Sequence, residues 1–526
     1  MLKSSGAMAA ATLTSRILGM FREIAYMAFM NVGWVNDAFQ YAFTIPNLFR
    51  RLLGEGALTA AFIPIFKEKE KIHGEAEMWR AANAVISGLI VTAALLIAVV
   101  MLLISAALGI HQFPDKTELM LRLLRVMFPY MLLVCAAAAM MGMLNARGHF
   151  FIPAMGAAML NVVMIASVYW LAPRFGTHLR PGQRLPAQIF ALAYGVLAAG
   201  VAQAAFQVPT LWKDGFRYRW VSPWRNETVR LVVNRMIPGT IGLAAFQINV
   251  AFVQLIGFFV ATGVVSSFNG AVRLMELPQG MFGISLATYL LPTLSGLATE
   301  KKYPEFRATL RHGLSTLIFV NVISSALLVS LAEPIVRLLY EHGKFTHDST
   351  LRVAGALEYL APGLVMFSTV NILARAFYAL GDTRTPMKIS IVCLALNLAI
   401  AIVLLVPFHQ RERGPAIANT LTSCVNVALL LFALRKKMGV LEMEELQRTA
   451  LWLAWLGLLA GIIALVGWNF WDKKLGHATL ALKVGAVFGP AIAAAGFYWL
   501  AAMAAKIPAA AEIFEFAAMR FKRRRR

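Results

Sequence analysis

The sequence predicts an all-α polytopic membrane protein, on three observations. Of its 526 residues, 59% are hydrophobic and only 14% charged, a balance that water-soluble domains of this length do not reach. Apolar runs of the ~20 residues needed to span hydrocarbon recur along nearly the whole chain, separated by short polar connections. The third observation is that ionisable residues are written into the first two of these runs: Arg16, Arg22, Glu23, Asp37, Arg50, Arg51 and Glu55. A charge at mid-bilayer depth costs at least ~2.5 to 3.5 kcal/mol on insertion scales, so several together imply a wet, protein-lined cavity between helices.

Hydropathy, with Gly, Pro and charged breaks as punctuation, gives fourteen transmembrane helices: 8–30, 36–66, 80–109, 119–146, 152–172, 187–211, 229–261, 266–297, 305–331, 351–380, 386–407, 414–435, 447–468 and 480–503. The first segment carries Arg16, Arg22 and Glu23 and is followed at once by another, so it reads as a retained helix and not a cleaved signal. Two landmarks return at nearly one spacing. FIPIF (Pro64) is echoed by LLPTL (Pro292), and GHFFIP (Gly148, Pro153) by GDTRTP (Gly381, Pro386). That spacing predicts two pseudo-symmetric six-helix lobes, residues 1–228 and 229–440, followed by two additional C-terminal helices within 441–505 and a basic juxtamembrane tail, 506–526.

The formal net charge of +23 lies mostly in the connections. With both termini placed inside, the loops assigned to the cytoplasmic side carry the excess of Lys and Arg, and KEKEKIHGEAE is one of those turns. The terminal FKRRRR is expected to sit on anionic lipid and not on nucleic acid. Cys135, Cys393 and Cys424 each lie in an apolar run without metal-ligand spacing, so neither a metal site nor a disulfide is expected.

On the first helix, Thr12, Ser15, Gly19, Arg22 and Tyr26 follow three- and four-residue steps. Arg16 lies about 120° from Arg22 around an ideal helix, so both face one lumen only if the polar face is wide or the helix bends at Gly19. In the second segment Pro46 interrupts the helix just before Arg50 and Arg51, which favours bending. Arg51 has Glu55 four residues on and can pair with it, which leaves Arg50 as the preferred ligand group. The eighth segment repeats the pattern with Arg273 and Glu276, three apart, and Pro278 beyond; a local Arg273–Glu276 pair is the alternative. Gln247 and Gln254 in the seventh read as inter-helix glue. Glu23 and Glu55 are possible proton acceptors, with structural pairing the plainer role.

No nucleotide loop, paired-carboxylate metal site, HExxH or exposed GxSxG occurs in a usable context, so no catalytic residue, cofactor or ATP hydrolysis is expected. Guanidinium groups fork onto phosphate oxygens, so the physical guess for the cavity's ligand is a phosphate or diphosphate.

At TSRILGMFRE, NDAFQYAFTIPNLFRRLLGEGALTAAFIPIF, VRLMELPQGMFGISLATYLLPTLS, HGKFT and GDTRTPMKIS, the chain resembles the MurJ (MviN) family of bacterial lipid II flippases, within the multidrug/oligosaccharidyl-lipid/polysaccharide exporter superfamily. The resemblance covers residues 4–437. It implies the fourteen-helix fold and outward movement of undecaprenyl-diphosphate-linked peptidoglycan precursor across the inner membrane. It implies substrate contact by Arg16, Arg22, Arg50 and Arg273, accompanying acids at Asp37 and Glu55, and a lipid-tail groove on the last two helices. Asn371 is followed four residues later by Arg375, which disfavours sodium coupling on that face. The expected partners are lipid II and anionic lipid, with the cell-wall synthesis machinery as a further candidate, and the chain is expected to act as a monomer. The alternatives are a cation-coupled drug or polysaccharide-lipid exporter of the same superfamily, a membrane enzyme acting on polyprenyl-linked glycans, and a noncatalytic scaffold.

Overall fold

Apolar helix after apolar helix, each ended by a Gly, a Pro or a polar connection, is what the chain folds into. The computed structural model describes residues 2–52, 58–224 and 226–511. Glu55 and most of the basic tail therefore lie outside the described residues. Two compact units result, Met1–Ser266 and Ser267–Arg526.

The first unit contains α1 (Leu2–Met30), α2 (Trp34–Phe49), α3 (Leu58–Ile110), α4 (Asp115–Met127), α5 (Tyr130–Ala146), α6 (Phe151–Ala166), α7 (Pro181–Lys213) and α8 (Glu227–Val260). Within it α6 packs on α1 and α7, α5 on α3 and α7, and α2 on α4 and α8. The second unit contains most of α9 (Val264–Pro278), then α10 (Ser285–Thr299), α11 (Tyr303–Ser330), α12 (Ala332–Tyr340), α13 (His347–Leu360), α14 (Gly363–Ala379), α15 (Arg384–Leu405), α16 (Arg413–Met438), α17 (Glu444–Lys474) and α18 (Leu480–Ala504). Here α14 packs on α10, α11 and α16, α15 on α16, and α17 on both α11 and α18. Side-chain caps start several helices. Asn226 accepts from the Thr228 and Val229 amides at α8, and Thr346 and Thr479 accept from Ser349 and Leu482 at α13 and α18. Among the described residues, nine helices are long and apolar enough to cross a bilayer, or up to eleven if each bent pair is one span.

Those bent pairs are α4–α5 (43°) and α13–α14 (47°). The breaks fall at Phe128–Pro129 and Ala361–Pro362, where the proline closes the preceding helix. Downstream, both pairs end in the same turn. Gly148 (φ 89°) lets His149 N donate to Leu144 O at 2.9 Å and Gly148 N to Asn145 O at 3.1 Å. Gly381 (φ 72°) does the same for Asp382 N to Phe377 O at 2.9 Å and Gly381 N to Tyr378 O at 3.0 Å.

The KEKEKIHGEAE stretch holds a sharp turn: α3 is two helices that meet at Gly74, the residue there that leaves helical geometry (φ 82°). Lys and Glu are good helix formers, so helix runs up to the break from either side. One feature differs from the sequence expectation. The connection between the ninth and tenth segments holds an additional helix, α12, whose Arg337 is buried. Its guanidinium pairs with Glu333 at 2.5 Å and with Asp472 of α17 at 3.4 Å. The α17–α11 contact is made by Gly457 and Gly461, four apart on one face. A Cβ at either would run into Val322 or Ser330 of α11, so these helices approach more closely than larger residues allow.

Candidate functional site

In the first unit Arg22 is the guanidinium taken out of solvent. The residue is 8% exposed, whereas Arg16 is exposed. Arg22 Nη1 donates to Asn161 Oδ1 on α6 at 3.1 Å, Nη2 lies 3.8 Å from Glu23 Oε2, and the group sits 5.4 Å from the Tyr26 ring centre. Nε has no hydrogen-bond partner among the described residues. Asn161 in turn donates through Nδ2 to Ser15 O at 3.1 Å. Gly19 faces this amide, and α1 runs through Gly19 without a break. The polar stripe read from the sequence is thus the α1 surface that α6 covers, and Asn161 holds it. Asn161 is a residue the sequence reading missed: one amide in an apolar helix gives no periodic signal.

Asp37, expected as a cavity acid, is wholly buried. Its Oδ1 accepts from Ser266 N at 2.9 Å and Ser266 Oγ at 2.8 Å, its Oδ2 accepts from Gly263 N at 2.6 Å, and Lys116 Nζ lies 3.0 Å from Oδ2. Lys116 also donates to Phe258 O at 2.6 Å. A buried carboxylate is tolerated only when paired and hydrogen-bonded, and this one is both. It fastens the α8–α9 connection to the start of α2. Lys116, at the beginning of α4, is the partner that sequence reasoning did not supply.

Along α2 the helix passes through Pro46 and opens into a π-type turn at residues 50–52, where Arg50 N reaches the carbonyls of both Pro46 and Asn47. Arg50 Nε donates to Asn47 Oδ1 at 2.7 Å. Thr44 Oγ1 lies 2.9 Å from Gln254 Oε1, and Arg51 Nη1 donates to Gln247 Oε1 at 3.4 Å. Gln247 and Gln254 therefore join α8 to α2, the glue their spacing suggested.

In the second unit Arg273 Nη1 pairs with Glu276 Oε2 at 2.8 Å, with both side chains open to solvent at 37% and 45%. This is the local pair the three-residue spacing allowed. Pro278 closes α9 and is followed by a π-type turn, Gln279–Ile284. A proline followed by a wide turn thus occurs near the arginines of each unit.

Among solved structures the chain resembles one described as "Lipid II flippase MurJ, inward closed conformation", with a TM-score of 0.75 and 22% identity over 94% of this chain and 99% of that one. It also resembles an inward-facing multidrug resistance MATE family transporter of the MOP superfamily, with a TM-score of 0.63 and 14% identity over 83% and 99%. The chain therefore shares the fold of these two proteins. In sequence, the family described as "Lipid II flippase MurJ" matches residues 26–484. A probable lipid II flippase MurJ of Bdellovibrio bacteriovorus is 32% identical over 498 residues, 93% of this chain and 91% of that protein. A lipid II flippase MurJ of Burkholderia cenocepacia is 32% identical over 436 residues, 81% and 82%. The chain belongs to the lipid II flippase MurJ family.

Proposed function

We propose that this chain moves lipid II from the inner to the outer leaflet of the bacterial inner membrane by alternating access. Arg16, Arg22 and Arg50 from the first unit and Arg273 from the second receive the diphosphate. Membership of the flippase family over residues 26–484 is the observation that carries the reading. The chemistry agrees with it: a guanidinium stays charged at any working pH and matches phosphate oxygens in pairs. Arg273 is accessible in its pair with Glu276, and an incoming diphosphate would compete for it.

The fourteen-helix arrangement, with two six-helix lobes and two further helices, is part of this proposal. The bends at Pro129 and Pro362 and the matching turns at Gly148 and Gly381 support a duplication. Both termini are placed in the cytoplasm, following the Lys and Arg bias of the loops. The π-type turns beside Pro46 and Pro278 are the points at which the helices would bend, because a wide turn has already given up regular hydrogen bonds. A head group of about two negative charges moves outward with an inside-negative potential, gaining ~2.3 kcal/mol per charge per 100 mV.

The test is a leaflet-specific assay of lipid II in cells depleted of this protein, complemented with the wild type or with Arg273→Ala. Outward display should fall on depletion, return with the wild type and stay low with the variant at equal membrane abundance. Undiminished display in depleted cells would sink the transport reading, and full rescue by Arg273→Ala would sink the role of that arginine.

A further inference from the structure

A second cationic feature, built from other arginines than those discussed so far, lies in the second unit where α15 gives way to α16. A cleft of about 250 Å³ is lined by Leu351 and Arg352 of α13 and by His409, Arg411, Glu412 and Arg413. Its geometry is fixed from both sides. Arg352 grips the buried carboxylate of Glu412 in a fork, Nε to Oε1 at 3.2 Å and Nη2 to Oε2 at 2.9 Å. His409 (φ 50°) and Arg411 (φ 41°) both take the left-handed conformation that non-glycine residues seldom adopt. Gln410 between them is tied back by its amide to Leu404 O at 2.9 Å.

Charge does not balance there. Three guanidinium-bearing residues line the cleft with Glu412, and among the described residues the Arg352 fork is the close pair; Arg411 Nε is 3.9 Å from the same carboxylate, and Arg413 lies 5.7 Å from the Tyr359 ring centre. Glu358 on α13 is within Coulombic reach of Arg413, and the cleft stays cationic with it counted. Beside the cationic mouth, Leu351, Val406 and Phe408 are exposed at 47%, 47% and 63%. Spans α15 and α16 both end here, so these apolar side chains stand at the edge of the hydrocarbon layer. A soluble anion has no use for that apolar flank, whereas a phospholipid uses both parts.

From this we infer that the cleft binds the phosphate of an anionic phospholipid, with Arg411 and Arg413 holding the head group and Leu351, Val406 and Phe408 meeting its chains. None of the proposed transport arginines is among its lining residues.

The inference is tested on the full chain in detergent by native mass spectrometry with phosphatidylglycerol, with phosphatidylcholine as the neutral comparison, and by calorimetry with inorganic pyrophosphate. Wild type should retain phosphatidylglycerol in preference to phosphatidylcholine. Arg411→Glu/Arg413→Glu should weaken that retention by roughly tenfold or more. Arg411→Ala, at an exposed position outside the Arg352–Glu412 fork, should weaken it in the same direction and serves if the double variant does not fold. Phe408→Ala should reduce lipid retention and leave any pyrophosphate signal unchanged. Equal retention by wild type and both arginine variants overturns the inference, as does equal retention of the two lipids. Pyrophosphate binding without phosphatidylglycerol preference overturns the lipid assignment.

Discussion

Asn161 of α6 holds Arg22 of α1 from 139 residues away, accepting from its guanidinium at 3.1 Å while donating to the Ser15 carbonyl. One amide thus satisfies both a buried cation and a helix carbonyl. Asn161→Leu keeps the branch at Cγ and removes both bonds, leaving a buried donor without its acceptor. The variant should lose ~1–3 kcal/mol of stability. Thermal unfolding in detergent checks this, and an unfolding midpoint equal to wild type would contradict it.

Asp37 and Lys116 form the second buried pair, and removing one member leaves the other charge uncompensated. Asp37→Asn should destabilise by ~3–5 kcal/mol, and Lys116→Met added to it should recover part of that loss instead of deepening it. A double-mutant cycle on unfolding midpoints measures the coupling; simple additivity would show that the two charges act independently.

Arg273 and Glu276 stand differently, since both are open to solvent. Glu276→Gln should change stability by no more than ~1 kcal/mol, as surface ion pairs contribute little. Transport by Glu276→Gln in vesicles carrying lipid II should persist, while Arg273→Ala loses it. Equal loss in the two variants would mean that the pair, and not the guanidinium, is what transport requires.

Asp382, in the connection between α14 and α15, accepts from Lys437 Nζ at 2.7 Å and from the Thr385 amide and hydroxyl at 3.0 and 2.8 Å. The Lys437 ammonium, and then these donors, hold its carboxyl down at about 2, against an ordinary 3.8. Because the folded value is the lower one, the contribution is present above the ordinary value and is lost as pH falls through the folded one. Wild type should therefore exceed Asp382→Asn in thermal stability at neutral pH, by at most ~1 kcal/mol for a screened pair. The difference should close between about pH 4 and pH 2. A gap that persists at pH 2 would refute the assignment.

Gly381 has open space where a Cβ would go, so Gly381→Ala meets only a backbone penalty from φ 72°. The expected loss is ~1–2 kcal/mol, with Gly381→Asn milder because Asn tolerates this conformation. Unfolding midpoints of the two variants give the order, and Ala milder than Asn would contradict it.

The membrane-spanning helices were legible because an apolar run of spanning length is a local property, and the paired landmarks at Gly148 and Gly381 were legible because a left-handed turn favours glycine. Other features were not. The charges of KEKEKIHGEAE mark a turn, but not that it is a single sharp break at Gly74 with helix on either side. Nine-residue α12 was too short for periodicity to register, and Arg337 secures it with an acid from α17, 135 residues on.

By itself the sequence determined the solvent this chain lives in, its helical character, the family it belongs to and the identity of the charges placed within its helices. Tertiary structure decided what each charge does: Asp37 became a buried anchor on Lys116, Gly263 and Ser266, while Arg273 kept its local partner Glu276. The physical reason is range. Periodicity reports which face of a helix avoids lipid, but a buried charge is neutralised by whichever donor or acceptor packing brings within about 3 Å. For Asp37 and Arg22 those partners come from distant parts of the chain.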